Sequence, residues 1–407
     1  MPVDLKNIPE PSVRPAPPKF VRALMVVVIL IGLSITLSRL FTGNNNVWFS
    51  VIVPTVIIGG VIFVRFINYL VQQLVANSHD ILREKTIIQE VRRGRRALQI
   101  LFAECCTAHS LGETPFASGS NSLVNNENVF FPQRSWRGEE NVRLSQLPRP
   151  IKIKEEKHLS LLFAVLAERL AISFSAYPKE RPVMVLLDFT SSIPEEKAIN
   201  LWQQAWQNAG IQQTLNRINS FGAQAVDEWL DHNIRSEALL LVLSWHYAPI
   251  NTRDSAEAIC GVLFGNRLTQ ETLPSLAILH RPESGEGTDE DLRYAITQAL
   301  DWGPVKSSEI QHLWLSGVED EMDNYATLIK AIADSDLKNV SQKTGTHNFN
   351  DYLGDPGKTG VWLAIVAATQ SLQQQRVHHL LICREQQNGK FWNMVVSPTV
   401  LDEEREE

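Results

Sequence analysis

The sequence predicts an α/β domain with a buried, mixed sheet, preceded by an α-helical transmembrane hairpin. Three observations lead there. Two long apolar runs stand near the N-terminus. Beyond residue 97, short apolar runs alternate with segments of helical period. Asn388-Gly389 sits between two apolar runs, as the turn of a hairpin does.

The first run, residues 23–40 (ALMVVVILIGLSITLSRL), carries only Arg39 as a charge. The second, residues 47–64 (VWFSVIVPTVIIGGVIFV), carries none. About 20 apolar residues cross a hydrocarbon core. Pro54 and Gly59-Gly60 are tolerated in a membrane helix, and Trp48 suits an interface. A signal peptide is excluded by the long proline-rich segment ahead of the first run and by the second run after it. Lys6, Arg14, Lys19 and Arg22 precede the hairpin. Arg65, Arg83, Lys85 and the cluster Arg92, Arg93, Arg95 and Arg96 follow it, while the loop 41–47 has no base. Positive charge stays inside, so both termini are expected in the cytoplasm of a bacterial inner membrane.

The expected organisation is a cytoplasmic tail (1–22), a hairpin with helical extension (23–76), a basic linker (77–96), the α/β domain (97–400) and an acidic tail (401–407). Phe66, Ile67, Leu70, Val71, Leu74 and Val75 have a/d-like spacing. Two readings of that stripe stand: self-association, and packing on the chain's own domain. The arginine cluster reads as a headgroup contact or as a solvated linker.

Within the domain, residues 97–103 form a buried strand and residues 110–150 a long polar loop. Residues 158–174 form a helix, 183–189 (VMVLLDF) a strand and 194–208 a helix begun by proline and Glu195-Glu196. A helix at 223–230 and strands at 238–244, 258–264 and 276–280 follow. Then come a helix at 289–300, a strand at 310–315, helices at 323–333 and 361–372, and the hairpin 377–383/391–396. Apolar strands without alternation imply burial on both faces.

Composition excludes several functions. A net charge of −7 argues against general nucleic-acid binding. Four cysteines without a CxxC pair form neither a disulfide framework nor structural zinc. GDPGKTG (354–360) fails as a phosphate loop, because Tyr352 stands where glycine is required. Cys105, Cys106 and His109 read as packing, Trp202 and Trp206 as core or interface, and His378-His379 as core or edge. No cofactor and no metal is expected.

In this order the segments resemble the thiolase fold, in its β-ketoacyl synthase branch. ALQILFAECCTAHSLGE is similar to the opening strand and "PLG" turn, and INSFGAQAVDEWL falls at the nucleophile elbow. SAEAICGVLFGN looks like the strand that starts the second half, and EIQHLWLSGVEDEMDNYATLIKAI like the "HGTGT" stretch. KTGTHNFNDYLGDPGKTGVWLAIVAATQSL is similar to the "KS…GH…GAAG" stretch. The resemblance implies two related halves in layers and a large dimer interface, hence a homodimer or a pseudo-symmetric partner interface. It puts Ser220 in place of the nucleophilic cysteine and Ser316 in place of the first histidine. The second histidine falls on Gly354 or Asp355 if Gly357 and Gly360 anchor the alignment, and on His347 if Lys343 does. At least two of three catalytic groups are therefore replaced, and an inactive relative is implied. The N-terminal layout is similar to accessory proteins of bacterial type VI secretion. The expectation is a membrane-tethered, non-catalytic scaffold that contacts the lipid bilayer and other membrane or secretion-system proteins, but not nucleic acid. The alternative is a divergent membrane-bound acyltransferase, or a binder of an acyl or CoA-like ligand.

Overall fold

The computed structural model describes residues 3, 5, 8–42, 47–110, 115–116, 120–150, 153–269, 273–319, 322–341 and 344–399. The expected loop centre at 43–46, the "PLG"-like residues at 111–112, Lys343 and the acidic tail lie outside them. Two compact units divide near residue 92.

The first unit holds α1 (Phe20–Thr42) and most of α2 (Val47–Gly94). Both are long and apolar enough to cross a membrane. Their large apolar side chains, such as Leu24, Ile29, Val56 and Phe63, are exposed. α2 continues without a break through the stretch expected as a linker, because residues 65–91 carry no glycine or proline. The tail runs beside it: Arg14 pairs with Asp80 at 2.8 Å, and Arg83 donates to the Pro9 carbonyl at 2.7 Å.

The second unit begins with the last turn of α2 and the strand β1 (Ala97–Cys106). The expected long loop holds α3 (Ser120–Val124), β2 (Phe131–Gln133) and β3 (Val142–Leu144). Then follow α4 (Glu155–Phe174), β4 (Val183–Ser191), α5 (Glu195–Asn208), β5 (Leu215–Ile218), α6 (Gly222–His232), β6 (Leu239–Tyr247) and β7 (Ala258–Gly265). The second half contains β8 (Ala277–His280), β9 (Glu283–Gly285), α7 (Asp289–Trp302), β10 (Ile310–Ser316) and α8 (Tyr325–Asp334). It ends with β11 (Thr346–Asn348), α9 (Phe349–Tyr352), α10 (Gly360–Leu372), β12 (His378–Arg384) and β13 (Phe391–Ser397).

The halves have one topology. The first runs β5-β4-β6-β7-β1 and the second β11-β10-β12-β13-β8. In each, the third, second and fourth strands are parallel and the fifth is antiparallel to the fourth. β1 pairs antiparallel with β8, from Ala97↔His280 to Ile100↔Ala277, and so joins the halves.

Alternation along the strands explains the layers. In β6, Leu239, Leu241, Leu243 and Trp245 face α4 and α5, while Leu240 and Val242 face the other way. In β12, Leu380 and Ile382 join the cluster of α7 and α8, while Leu381 and Cys383 join the central one. Three apolar cores thus lie outside the first half, between the halves, and outside the second half. α10 fills the middle layer and meets strands of both halves. All its residues except Gln370 are buried, as a helix apolar all round requires. Trp202 and Trp206 of α5 are core residues, and all four cysteines are buried and free.

Candidate functional site

A small cleft opens where the C-terminal ends of β4 and β12 meet the N-termini of α6 and α10. Asp188, Phe221, Gly222, Lys358, Cys383 and Trp392 are among its lining residues. Here the ends of β4 and β12 come beside the first residues of α6 and α10. This is where open α/β folds place ligands.

Gly222 opens α6 at φ +50°, a left-handed conformation that glycine enters at little cost. It lies two residues past Ser220. Its N–H donates to Asp188 Oδ2 at 3.0 Å, and Trp362 Nε1 donates to the same oxygen at 2.9 Å. Only 4 % of Asp188 is exposed. Burial raises its carboxyl above the usual range. The bonds from Trp362 and Gly222 and the charge of Lys358 oppose that, while Glu385 adds to it. The N-terminus of α6 would attract an anion through its free N–H groups and helix dipole. Here an internal carboxyl already fills that place.

Cys383 is the lining sulfur. The Cys383 thiol is pushed up to about 12 by burial, far from the thiolate a nucleophile needs. His246, at the end of β6, touches the neighbouring cleft shared with Asp355 and Gln386. A Cβ on Gly357 would stand 2.6 Å from His246 Nδ1, so glycine is required for this approach. Burial lowers the His246 imidazole to about 4. Among the described residues, no three His, Cys, Asp or Glu side chains are grouped to hold a metal ion.

The residues singled out by sequence are not gathered into one site. Ser220 lies in the turn before α6 and donates to Glu228 Oε2 at 2.8 Å, outside the cleft lining. Ser316 ends β10 and is buried, with Gly360 packed so closely that a Cβ there would run into its Oγ. His347 sits on β11 and is fully buried. It bonds His312 at 2.9 Å and Asn126 Oδ1 at 2.7 Å, and stacks on Trp314 with ring centroids 4.1 Å apart. Burial first, then the charge of His312, pushes it down to about 3. Asp355 lines the neighbouring cleft with His246 and Gln386. Its Oδ1 accepts from Gly357 N–H at 2.9 Å and its Oδ2 from Gln386. Its carboxyl is raised by burial, against the pull of those bonds and of Arg384.

Asp188 is not singled out by the sequence. Asp188 closes the apolar run VMVLLDF and reads as part of a strand. Its partners lie 34 and 174 positions away, so no local pattern links them. A buried aspartate ending an apolar run was the only signal available.

The arginine cluster also has a definite role in the domain. Arg93 bonds both oxygens of Asp231, on α6, and Arg96 donates to the Leu230 carbonyl at 3.0 Å. The readings as headgroup contact and as solvated linker are corrected for these two residues: the part-buried carboxylate of Asp231 pairs with both within the domain.

No family model and no curated protein matches the sequence. Solved structures do match in shape. One is described as the ishigamide ketosynthase/chain length factor, at 13% identity and TM-score 0.54, covering 75% of this chain and 100% of that one. Another is a β-ketoacyl synthase from Burkholderia phymatum, at 10% identity and TM-score 0.51, with coverage of 75% and 100%. Together with the paired topology of the two halves, these likenesses show that residues 97–399 carry the thiolase-like, ketosynthase-like α/β fold with a mixed sheet.

Proposed function

We propose that this protein is a membrane-tethered, non-catalytic scaffold that keeps a thiolase-like fold without its chemistry. The observation that carries this reading is Asp188. Its carboxyl occupies the N–H of Gly222, at the strained start of α6, where a nucleophile and its oxyanion donor would be needed. The cleft offers only a protonated, buried thiol as a nucleophilic sulfur. Two helices of membrane-spanning length support tethering, and the basic residues on both flanks support cytoplasmic termini. A role in assembling a membrane-attached bacterial machine, with type VI secretion the first to test, follows from that layout. The full-length protein should turn over no acyl-thioester, and pull-down from detergent-solubilised membranes should return other membrane proteins. Thioester turnover lost in Ser220→Ala would sink the reading and establish an acyltransferase that uses the Ser220–Glu228 pair.

A second reading rests on the cleft itself. Phe221, Val361 and Trp392 give it an apolar wall, and Lys358 and Arg384 a cationic rim. That combination suits non-covalent binding of an acyl or CoA-like ligand. Protection of the chain against thermal unfolding by an acyl-CoA would support it.

A further inference from the structure

His246, near the C-terminal end of β6, is 6% exposed, and among the described residues neither of its ring nitrogens has a hydrogen-bond partner. An unpaired buried polar group costs about 1–3 kcal/mol, and native folds leave few of them. Alternation along β6 sets its direction. Trp245 and Tyr247 on either side face the outer core, so His246 faces the other side of the sheet, as Ser244 does. Ser244 is bonded there, to the Asp188 carbonyl at 2.6 Å and to Thr359 Oγ1 at 2.9 Å. His246 has no such bond. Its register neighbours are Thr190 on β4 and Ala258 on β7, and Gly357, at φ +56°, lies against Nδ1. None of these completes a bond to the ring.

The ring stands on the wall of a cleft, where a ligand can reach it. Thr190, Ser191, Asn251, Ser255 and Gln386 line the same cleft, so hydroxyls and amides surround the one carboxyl, Asp355. The cleft shares Thr190 and Gln386 with that of Phe221 and Trp392, but has neither of those aromatic walls. Its apolar wall is Pro249 and Ile250, the latter 70% exposed. The charges are balanced. Arg253 stands 3.4 Å from Asp254, and Asp355 already accepts from Gly357 N–H and from Gln386. An anion here would meet Asp355, and a cation would meet Arg253. Burial lowers the imidazole to about 4 and so keeps it neutral at pH 7. A neutral ring presents an N–H at one nitrogen and a lone pair at the other, and a hydroxyl answers either, since it donates and accepts through one atom.

We infer that this cleft binds a neutral, hydroxyl-rich small molecule, a sugar or polyol, with His246 as its buried hydrogen-bond anchor. The ligand's hydroxyls meet the imidazole and the amides of Asn251 and Gln386, and its C–H face lies on Pro249 and Ile250. The bond made at His246 removes the cost of burying the ring unpaired. The site differs in place and in ligand class from the acyl or CoA-like reading of the neighbouring cleft. It needs no membrane and no catalysis, so it stands apart from the scaffold reading as well.

The test is calorimetric titration of the full-length chain in a detergent without sugar headgroups. Glucose, N-acetylglucosamine and myo-inositol are the neutral probes. Glucose 6-phosphate and glucosamine carry a charge on the same skeleton. At least one neutral probe should bind, and more tightly than both charged ones. His246→Phe keeps the bulk of the ring without its nitrogens, and should weaken that probe about tenfold, as one lost hydrogen bond allows. His246→Ala guards against a phenyl ring too large beside Gly357 and should show the same weakening, with the tryptophan fluorescence of the folded chain retained. Binding of no neutral probe overturns the inference and means that water alone fills the cleft. Tighter binding of a charged probe also overturns it. So does equal binding by wild type and both variants, which would put the sugar elsewhere on the molecule.

Discussion

Gly222 N–H and Trp362 Nε1–H both end on one oxygen of Asp188, so removing that carboxyl strands two buried donors at once. Asp188→Ala should cost about 2–3 kcal/mol, the range for hydrogen bonds to a charged group. Asp188→Asn keeps an acceptor and removes a buried charge, so it should cost much less. Thermal unfolding followed by tryptophan fluorescence separates the two, and equal losses would show that the carboxyl's charge matters more than its bonds. His347 supports a second prediction. Its folded-state value is near 3, against about 6.5 when unfolded. The unfolded chain therefore takes up the proton first. The stabilisation from neutral His347 is complete above about pH 6.5 and is lost as pH falls towards its folded value. Buried carboxyls with raised values, such as Asp188 and Asp355, act with the opposite sign, so the total slope mixes both. A difference measurement isolates the histidine. His347→Gln should be less stable than wild type at pH 7, and the gap should narrow by pH 4. A gap that stays constant with pH would mean His347 is not held neutral.

α6 is fixed at both ends. Its first N–H meets Asp188, and near its far end Asp227 and Asp231 grip Arg281, whose side chain is wholly buried. Arg281→Leu leaves Asp227 and Asp231 without this counter-charge. It should cost about 3–5 kcal/mol, the range for breaking a buried ion pair from one side. Asp227→Asn in the same chain should recover part of that loss; no recovery would mean that packing around Arg281, not its charge, dominates. The elements themselves differ in how far they could be read from sequence. β1, β4, β6, β7 and the β12–β13 hairpin were legible because strands buried on both faces are written as unbroken apolar runs. α10 was legible because it is apolar all round. β5 (LNRI) and β11 (THN) were not, since three or four residues at a sheet edge, most of them polar, carry no period. The cleft shared that fate: its key contacts join β4 to α6 and α10, and only the finished fold brings them together.

For the whole molecule, the question is where the domain begins. A boundary at residue 97 follows from the change of sequence texture. The contacts place the start earlier: the second unit begins at Arg92. Gly94 lies so close to the Trp302 ring that a Cβ would stand 2.5 Å from it. Asp231 depends on this turn. Burial pushes its carboxyl up, but bonds from Arg93 and Arg281 outweigh burial and hold it well below the usual range. A fragment beginning at Ala97 lacks Arg93 and Arg96, two of the cations that hold Asp231. A fragment beginning at Arg92 should therefore be more stable by about 1–2 kcal/mol at pH 7, as partly exposed charge-assisted bonds allow. The sign of the pH effect is fixed as well. A depressed carboxyl stabilises the fold above its unfolded value, so the advantage should shrink as pH falls below about 4. Denaturant unfolding of both fragments at pH 7 and pH 4 would measure this, and equal stability at both would return the boundary to residue 97. The longer fragment then becomes the fair test of tethering. It keeps Arg93, Gly94 and Arg96 and lacks both apolar helices, so a loss of function in cells with thermal unfolding unchanged belongs to the missing anchor rather than to a damaged fold. Full complementation by that fragment would contradict the tether.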